Sequence, residues 1–402
     1  MRSVKSLSSL IEKVSPHHLL LLCGINAALR LAFMVLVQPE IKVAEDFNIA
    51  QHIVAGQGFS IYDRGPTTAK GPFYPLYLAF WLWVLGEKWG LFGAILLQHF
   101  LAAAIPWLLY LLGRTLRREA LGKGAALLFL LHPSYFYHPT VAENTTWVVF
   151  LGALWGIWLF QYPPEKYPFR YLSLLGVLLG LFLLEKPILV PPMVASLILR
   201  FYRRLKAVGI VGLTSLVVIL PWSVRNYWVF GTFLPTKSYA GVTTFPSSWL
   251  PFMAAHPRYA VSDSLEAIYD SLFALPEAQA YPGFRALARH ILQERWHQIP
   301  ERTLFHALIY WSIPPRYWGN LSLSFFIVRL LPVSLLLVLF LWGSFYLWQK
   351  DRYFLLAILG TLLWTTFIYA LNQVLNIRYK LEVEWLQLYI CAAPLVFKRP
   401  HG

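Results

Sequence analysis

Apolar residues in this chain come in long unbroken blocks, such as "LLLLCGINAALRLAFMVLV" at 19–37 and "LFGAILLQHFLAAAIPWLLYLLG" at 91–113. A helix that is apolar all round has no face for water, and about 20 such residues cross the hydrocarbon of a bilayer. The blocks predict ten spans, near 17–37, 90–113, 123–139, 144–161, 170–185, 187–202, 206–223, 323–348, 353–371 and 383–397. Basic residues then cluster at Arg2, Lys5 and Lys13; Arg114, Arg117, Arg118 and Lys123; Lys166 and Arg170; Arg200, Arg203, Arg204 and Lys206; Lys350 and Arg352; Lys398 and Arg399. Half of the 34 Lys and Arg thus fall in short loops on one side, which the positive-inside rule makes cytoplasmic, with both termini there. No small-x-small cleavage site follows the first block, so it reads as a retained span.

One block breaks the pattern. If "PFYPLYLAFWLWVLG" at 72–86 crossed, every later basic cluster would land outside. Its short length and aromatic content predict a segment that lies in the outer interface or re-enters. The first external loop then covers 38–89 with juxtamembrane helices, and a second external segment covers 224–322. In the latter, "FRALARHILQERWHQI" places Phe284, Leu287, Ile291 and Leu292 at helical spacing, predicting a small helical cap. Three parts result: an N-terminal transmembrane module, 1–223; the cap, 224–322; and C-terminal transmembrane helices, 323–402.

Composition agrees with this all-α polytopic membrane protein, placed in the plasma (inner) membrane. Apolar residues are 58% of the chain, charged residues 13%, and the mean hydropathy is +0.55, which excludes a soluble domain. The 17 Trp, 22 Tyr and 28 Phe suit many interfaces. A net charge of +15 raises nucleic acid as a partner, but the basic residues form no aromatic-interleaved patch, so none is expected. Cys23 and Cys391 both fall in apolar blocks, and a disulfide between them is not expected.

The stretches "VAEDFNIAQHIVAGQGF", "KGPFYPLYLAF", "LHPSYFYHPTVAENTT", "EKPILVPP", "PWSVRNYWVFGTFLPTKSYAG" and "NIRYKLEVEWLQLYICAAPL" follow one another in the order seen in bacterial relatives of the protein O-mannosyltransferases. The whole chain resembles a GT-C superfamily glycosyltransferase, in the broad group of glycosyltransferase family 39 and the lipid-A sugar transferases. It departs from that group at Gly71, where a second proline is common, and at Glu382 or Glu384, where a proline is common. The resemblance implies the GT-C fold and transfer of a sugar from a polyprenyl-phosphate donor to a hydroxyl acceptor at the outer, periplasmic face. The acceptor would be a glycolipid, a polysaccharide or a protein of the cell envelope.

Elementary chemistry matches that implication. The acceptor hydroxyl must lose a proton as it attacks, so one carboxylate base is needed at headgroup depth. The phosphate leaves as an anion and needs cations in place of the second carboxylic acid of a glycosidase. Asp46 is the candidate base, with Glu45 beside it as an acceptor or metal contact; the alternative is that both stabilise a helix N-terminus. Glu143, with His138 and Tyr74, is a candidate substrate contact, or else Glu143 is a helix-start acid beside Asn144. Lys186 lies between apolar runs, where Glu185, a phosphate or water must hold it. Lys70, Arg225, Arg378 and Lys380, with Asn226 next to Arg225, are candidates for gripping the donor phosphate, the planar Arg fork favouring Arg225 and Arg378. The alternative for each cation is snorkelling to headgroups. Arg30 and Arg329 read as structural. A divalent cation stays open, since Glu45, Asp46 and Glu143 offer oxygens, but no DxD, HExxH or CxxC pattern occurs. The rival function, a transporter or flippase of a lipid-linked saccharide, would also need many helices and buried charges; no paired half-length repeats support it.

Overall fold

The computed structural model describes residues 2–37, 40–61, 65–237, 263–312, 322–323, 326–371 and 377–397. Lys398, Arg399 and parts of the 224–322 segment lie outside these residues. Within them every regular element is helical, and extended pairing is limited to isolated bridges of Lys42 with Val141 and Ser60 with Pro66. The helices are α1 (Arg2–Lys13), α2 (Pro16–Ala32), α3 (Glu45–Val54), α4 (Phe73–Thr115), α5 (Glu119–Leu131), α6 (Pro133–Tyr137), α7 (Thr145–Phe160) and α8 (Phe169–Glu185). There follow α9 (Val190–Phe201), α10 (Leu205–Phe230), α11 (Asp263–Phe273), α12 (Glu277–Arg295), α13 (Ile299–Trp311), α14 (Leu331–Lys350), α15 (Arg352–Leu371) and α16 (Ile377–Val396).

Five of these are long and apolar enough to cross a membrane: α2 with its π-helical extension to Val37, α4, α10, α14 and α15. That is the build of an all-α membrane protein. The other apolar blocks form shorter helices, of 13, 16, 17 and 12 residues for α5, α7, α8 and α9. Helix α16 has 20 residues but carries Arg378, Lys380, Glu382 and Glu384 in its first half.

Helix α4 contains a reversal. At Gly86 the backbone takes φ 74°, ψ 173°, a conformation closed to residues with a Cβ, and the chain doubles back. Tyr77 donates its hydroxyl to the Ala94 carbonyl at 2.5 Å, and Tyr74 donates to the Gln98 side chain at 2.9 Å. The two arms approach so closely that a Cβ on Gly90 would stand 2.4 Å from the Trp81 carbonyl oxygen. The first arm is the 72–86 stretch; about 13 residues at 1.5 Å each give roughly 20 Å, short of the ~30 Å hydrocarbon. Only the second arm has the length of a span.

Helix α16 forms the centre of the bundle, buried from Lys380 to Trp385 and from Gln387 to Pro394 with Leu386 half-buried between, and with α5, α7, α14 and α15 around it. It touches α14 backbone to backbone: a Cβ on Gly343 would fall 1.9 Å from the Ile390 carbonyl oxygen. Apolar lipid gives helices no hydrophobic reason to associate, so close contact at small residues supplies the attraction.

The basic loops meet at one end of the bundle. Arg118 pairs with Asp351, Arg200 donates to the Tyr162 carbonyl at 2.7 Å, and Arg204 donates to the Pro164 carbonyl at 2.7 Å. The opposite end carries the end of α8 and the starts of α7 and α16. In the 263–312 helices, α12 buries Phe284, Leu287 and Ile291 as the spacing predicts, against α11, while Leu292 is 43% exposed.

Candidate functional site

Backbone pairing brings the acidic pair to its neighbours. Lys42 bridges to Val141, its carbonyl accepting from Ala142 N at 2.8 Å, while Gln98 in α4 donates to the carbonyls of Pro139 and Val141 at 3.0 and 2.8 Å. The start of α3 is thereby laid beside Glu143. Glu45 and Asp46 are its first two residues, after Ala44, which offers no capping side chain. The helix dipole favours both.

Their surroundings differ. The Glu45 side chain is 48% exposed and pairs with Lys70 at 2.6 Å. Burial pushes its carboxyl up, but the charge and hydrogen bond of Lys70, joined by the charge of Arg378, outweigh that and leave it below the ordinary value. Asp46 is only 5% exposed. Burial pushes its carboxyl up, Lys70, Arg378 and Lys237 pull it back, Glu143 pushes it further, and it ends above the ordinary value. Two adjacent carboxylates are thus driven in opposite directions by their surroundings.

Around them stands a ring of charge. Arg378, in the first turn of α16, pairs with Glu143 and donates to the Tyr379 hydroxyl at 2.8 Å. A cation at a helix N-terminus opposes the dipole, so this position needs its carboxylate. His138 Nε2 lies 3.5 Å from the other Glu143 oxygen. Asn144 occupies the N-cap position of α7 without capping it; its amide donates to Glu185 at 3.0 Å.

Lys186 is not held by its neighbour. It pairs with Glu382, in turn a partner of Tyr369 at 2.8 Å, and its ammonium sits 4.8 Å from the Tyr379 ring centre. Glu185 instead accepts from the backbone N–H groups of Phe73 and Tyr74 at 2.6 and 3.3 Å. Those are orphan donors at the start of α4, where Pro72 has no side chain to cap them, so a carboxylate from another helix does so. Lys380 pairs with Glu384 at 3.0 Å, with His132 3.5 Å from the same carboxylate, both buried. Removing the charge of either partner in such a pair would strand the other, which explains why each cation has its acid.

The remaining candidates make hydrogen bonds within the protein. Arg225 donates to the carbonyls of Phe59 and Thr67 at 3.0 and 2.9 Å and to the Asn226 side chain at 2.9 Å; Asn226, fully buried, donates to the Leu234 carbonyl at 2.9 Å. Tyr74 donates to Gln98 within the hairpin. Arg30, buried, ties α2 to the carbonyls of Tyr135 and Phe136 at 2.9 and 3.0 Å, the structural role expected of it. Among the described residues no three His, Cys, Asp or Glu gather in a metal-holding group.

The sequence reading passed over Lys237. Burial pulls its ammonium down to about 8, with Lys186 and Lys70 adding to the fall and Glu185 opposing it. It joins the Asp46 group to the Lys186 group. It lies inside the quoted 221–241 stretch, and a lone lysine between "LPT" and "SYAG" was the signal available.

Beside these charges, an apolar cavity of about 630 Å³ runs between α7, α9, α15 and α16, with Glu382 on its wall. Leu199 and Leu356 line it and are themselves 77% and 47% exposed, so it opens sideways from the bundle. Comparison with models of protein families, with curated proteins and with solved structures finds no match.

Proposed function

We infer that this chain is a membrane glycosyltransferase of GT-C type, with about ten helices crossing the inner membrane. It moves a sugar from a polyprenyl-phosphate donor to a hydroxyl acceptor at the outer, periplasmic face, with inversion. The observation that carries this reading is Asp46: a buried carboxylate with raised proton affinity, faced by Lys70, Arg378 and Lys237 at the end of the bundle opposite the basic loops. Asp46 takes the acceptor proton; the cations stabilise the charge that grows on the departing phosphate. The apolar cavity is of the size that encloses ligands, and its lining suits an isoprenoid chain with its phosphate toward Lys186. Acceptor classes remain glycolipid, polysaccharide and protein. If a divalent cation takes part, Glu45, Asp46 and Glu143 are its candidate oxygens.

The same cavity would serve a flippase of a lipid-linked saccharide. Purified protein incubated with a polyprenyl-phosphate sugar separates the two. Release of free polyprenyl phosphate supports transfer, whereas movement between leaflets of a vesicle with the sugar bond intact refutes it.

A further inference from the structure

Lys70 reaches the acidic pair from a linker, 65–74, that two distant carboxylates tie down. At its far end Glu185 holds the backbone of Phe73 and Tyr74. At its near end Glu277, in the first turn of α12, accepts from the Thr67 hydroxyl, from the Thr68 backbone N–H at 2.8 Å and from the Thr68 hydroxyl at 2.6 Å. The Ala69 N–H closes onto the Thr67 hydroxyl oxygen at 3.0 Å, and Arg225 grips the Thr67 carbonyl from α10. Only Ala69, two steps or at most about 7 Å of chain, separates Thr68 from Lys70, too little to absorb a displacement of the anchor.

Three hydrogen bonds converge on the one Glu277 carboxylate, and hydrogen bonds to an ionised acceptor are the strong ones. Glu277 belongs to α12, a segment far along the chain from α3, which holds Asp46. We propose that Glu277 is a positioning residue: it latches the helices α11–α13 to the 65–74 linker, and so fixes Lys70 against Glu45 and Asp46. Shifting the cap moves Lys70. The cap then sets the charge around the base when an acceptor engages it, a consequence that rests on the function proposed above. The groups facing Asp46 are Lys70, Arg378, Lys237, Glu143, Glu185 and Tyr74, with Glu45 next to it in the chain; Lys70 is the one the latch controls.

The test uses the full chain in nanodiscs, as wild type, Glu277→Gln, Glu277→Ala and Lys70→Met, with Glu294→Gln as a cap control whose side chain is exposed. Hydrogen–deuterium exchange is read by peptide, and the pH dependence of sugar transfer is read in parallel. Glu277→Ala should speed exchange of the Thr68 and Ala69 amides about 10- to 100-fold and loosen the start of α3 through the freed Lys70, with α16 unaffected. Glu277→Gln, which keeps one acceptor oxygen, should fall between. The acid limb of the transfer profile should move up by about one unit in Glu277→Ala, toward that of Lys70→Met, because Asp46 loses an opposing charge. Unchanged exchange overturns the latch. Loosening confined to 65–70 with α3 unmoved overturns it, as does loosening spread over the whole bundle. Glu277→Gln carries the test should the Ala variant not fold. A wild type that transfers no sugar refutes the proposed function, while the exchange at α3 still judges the latch.

Discussion

Replacing Asp46 by Asn leaves the side-chain shape and removes the basicity. Two effects of known sign then compete in stability. As the second residue of α3, the carboxylate gains about 0.3–1 kcal/mol from the helix dipole, which Asn forfeits. Burial acts the other way: at 5% exposure the ionised form is disfavoured strongly enough that the proton affinity rises despite Lys70, Arg378 and Lys237. A carboxyl whose folded value lies above its unfolded 3.8 contributes stability below that pH and loses it as pH climbs through the folded value. At pH 7 the ionised group is therefore a net cost, and the Asn variant should melt higher than wild type, the gap closing below about pH 4. Turnover should fall about 100- to 10,000-fold while donor binding survives. Thermal melts, polyprenyl-phosphate binding and sugar transfer, measured in one detergent across pH 4–8, check all three. Full turnover in Asp46→Asn refutes the base assignment. A lower melt with intact turnover returns Asp46 to a helix-start role.

Further substitutions have expected outcomes of known direction. Glu143→Gln frees the Arg378 guanidinium from its carboxylate, so polyprenyl-phosphate affinity should rise while acceptor turnover falls; Arg378→Lys, without the planar fork, should weaken donor binding in both backgrounds when measured by titration. Lys186→Met strands the buried Glu382 and should cost about 3–5 kcal/mol by denaturation, whereas Lys186→Met with Glu382→Gln should recover most of that loss. Gly343→Ala drives a methyl into the Ile390 carbonyl and should cost about 1–3 kcal/mol or more. Gly209→Ala, with open space around it, should be neutral or stabilising by up to about 1 kcal/mol in the same melt.

What could be read from the chain alone was whatever depends on local composition. Unbroken apolar blocks define the all-α membrane class, and the shortness of 72–86 marks it as different from its neighbours. Glu45 and Asp46 stand out because ionised groups are costly near a bilayer. Partner choice, by contrast, is a tertiary property with no local signal. Lys186 has an acid beside it in sequence, yet its backbone neighbour points to the start of α4 and the ion pair is made with Glu382, 196 residues on. Arg225 is a candidate phosphate ligand by its place near the outer face and its planar fork; the carbonyls of Phe59 and Thr67 to which it donates belong to a loop whose path no periodicity encodes. Lys237 and Glu277 were missed for the same reason. Each is ordinary in its own stretch and gains meaning only from what another segment brings to it.

Pairing also bears on how the proposed reaction keeps its charge. Lys70, Lys186, Lys237, Arg378 and Lys380 stand against Glu45, Asp46, Glu143, Glu185, Glu382 and Glu384, close to neutral, as a site of low dielectric requires. A polyprenyl-phosphate sugar enters as a phosphodiester with one negative charge and leaves as a monoester, whose second ionisation near pH 6 adds another. The acceptor gives up one proton in the same step. If that proton rests on Asp46, the site loses one negative charge as the phosphate gains one, and its total is unchanged through the transfer. The arriving phosphodiester itself raises the proton affinity of Asp46 by like-charge proximity, bringing it nearer the operating pH, where a general base is most effective. A base with the low proton affinity of Glu45 would leave the new phosphate charge uncompensated. That is the physical reason for assigning the proton to the buried member of the pair and the lysine partner to the exposed one.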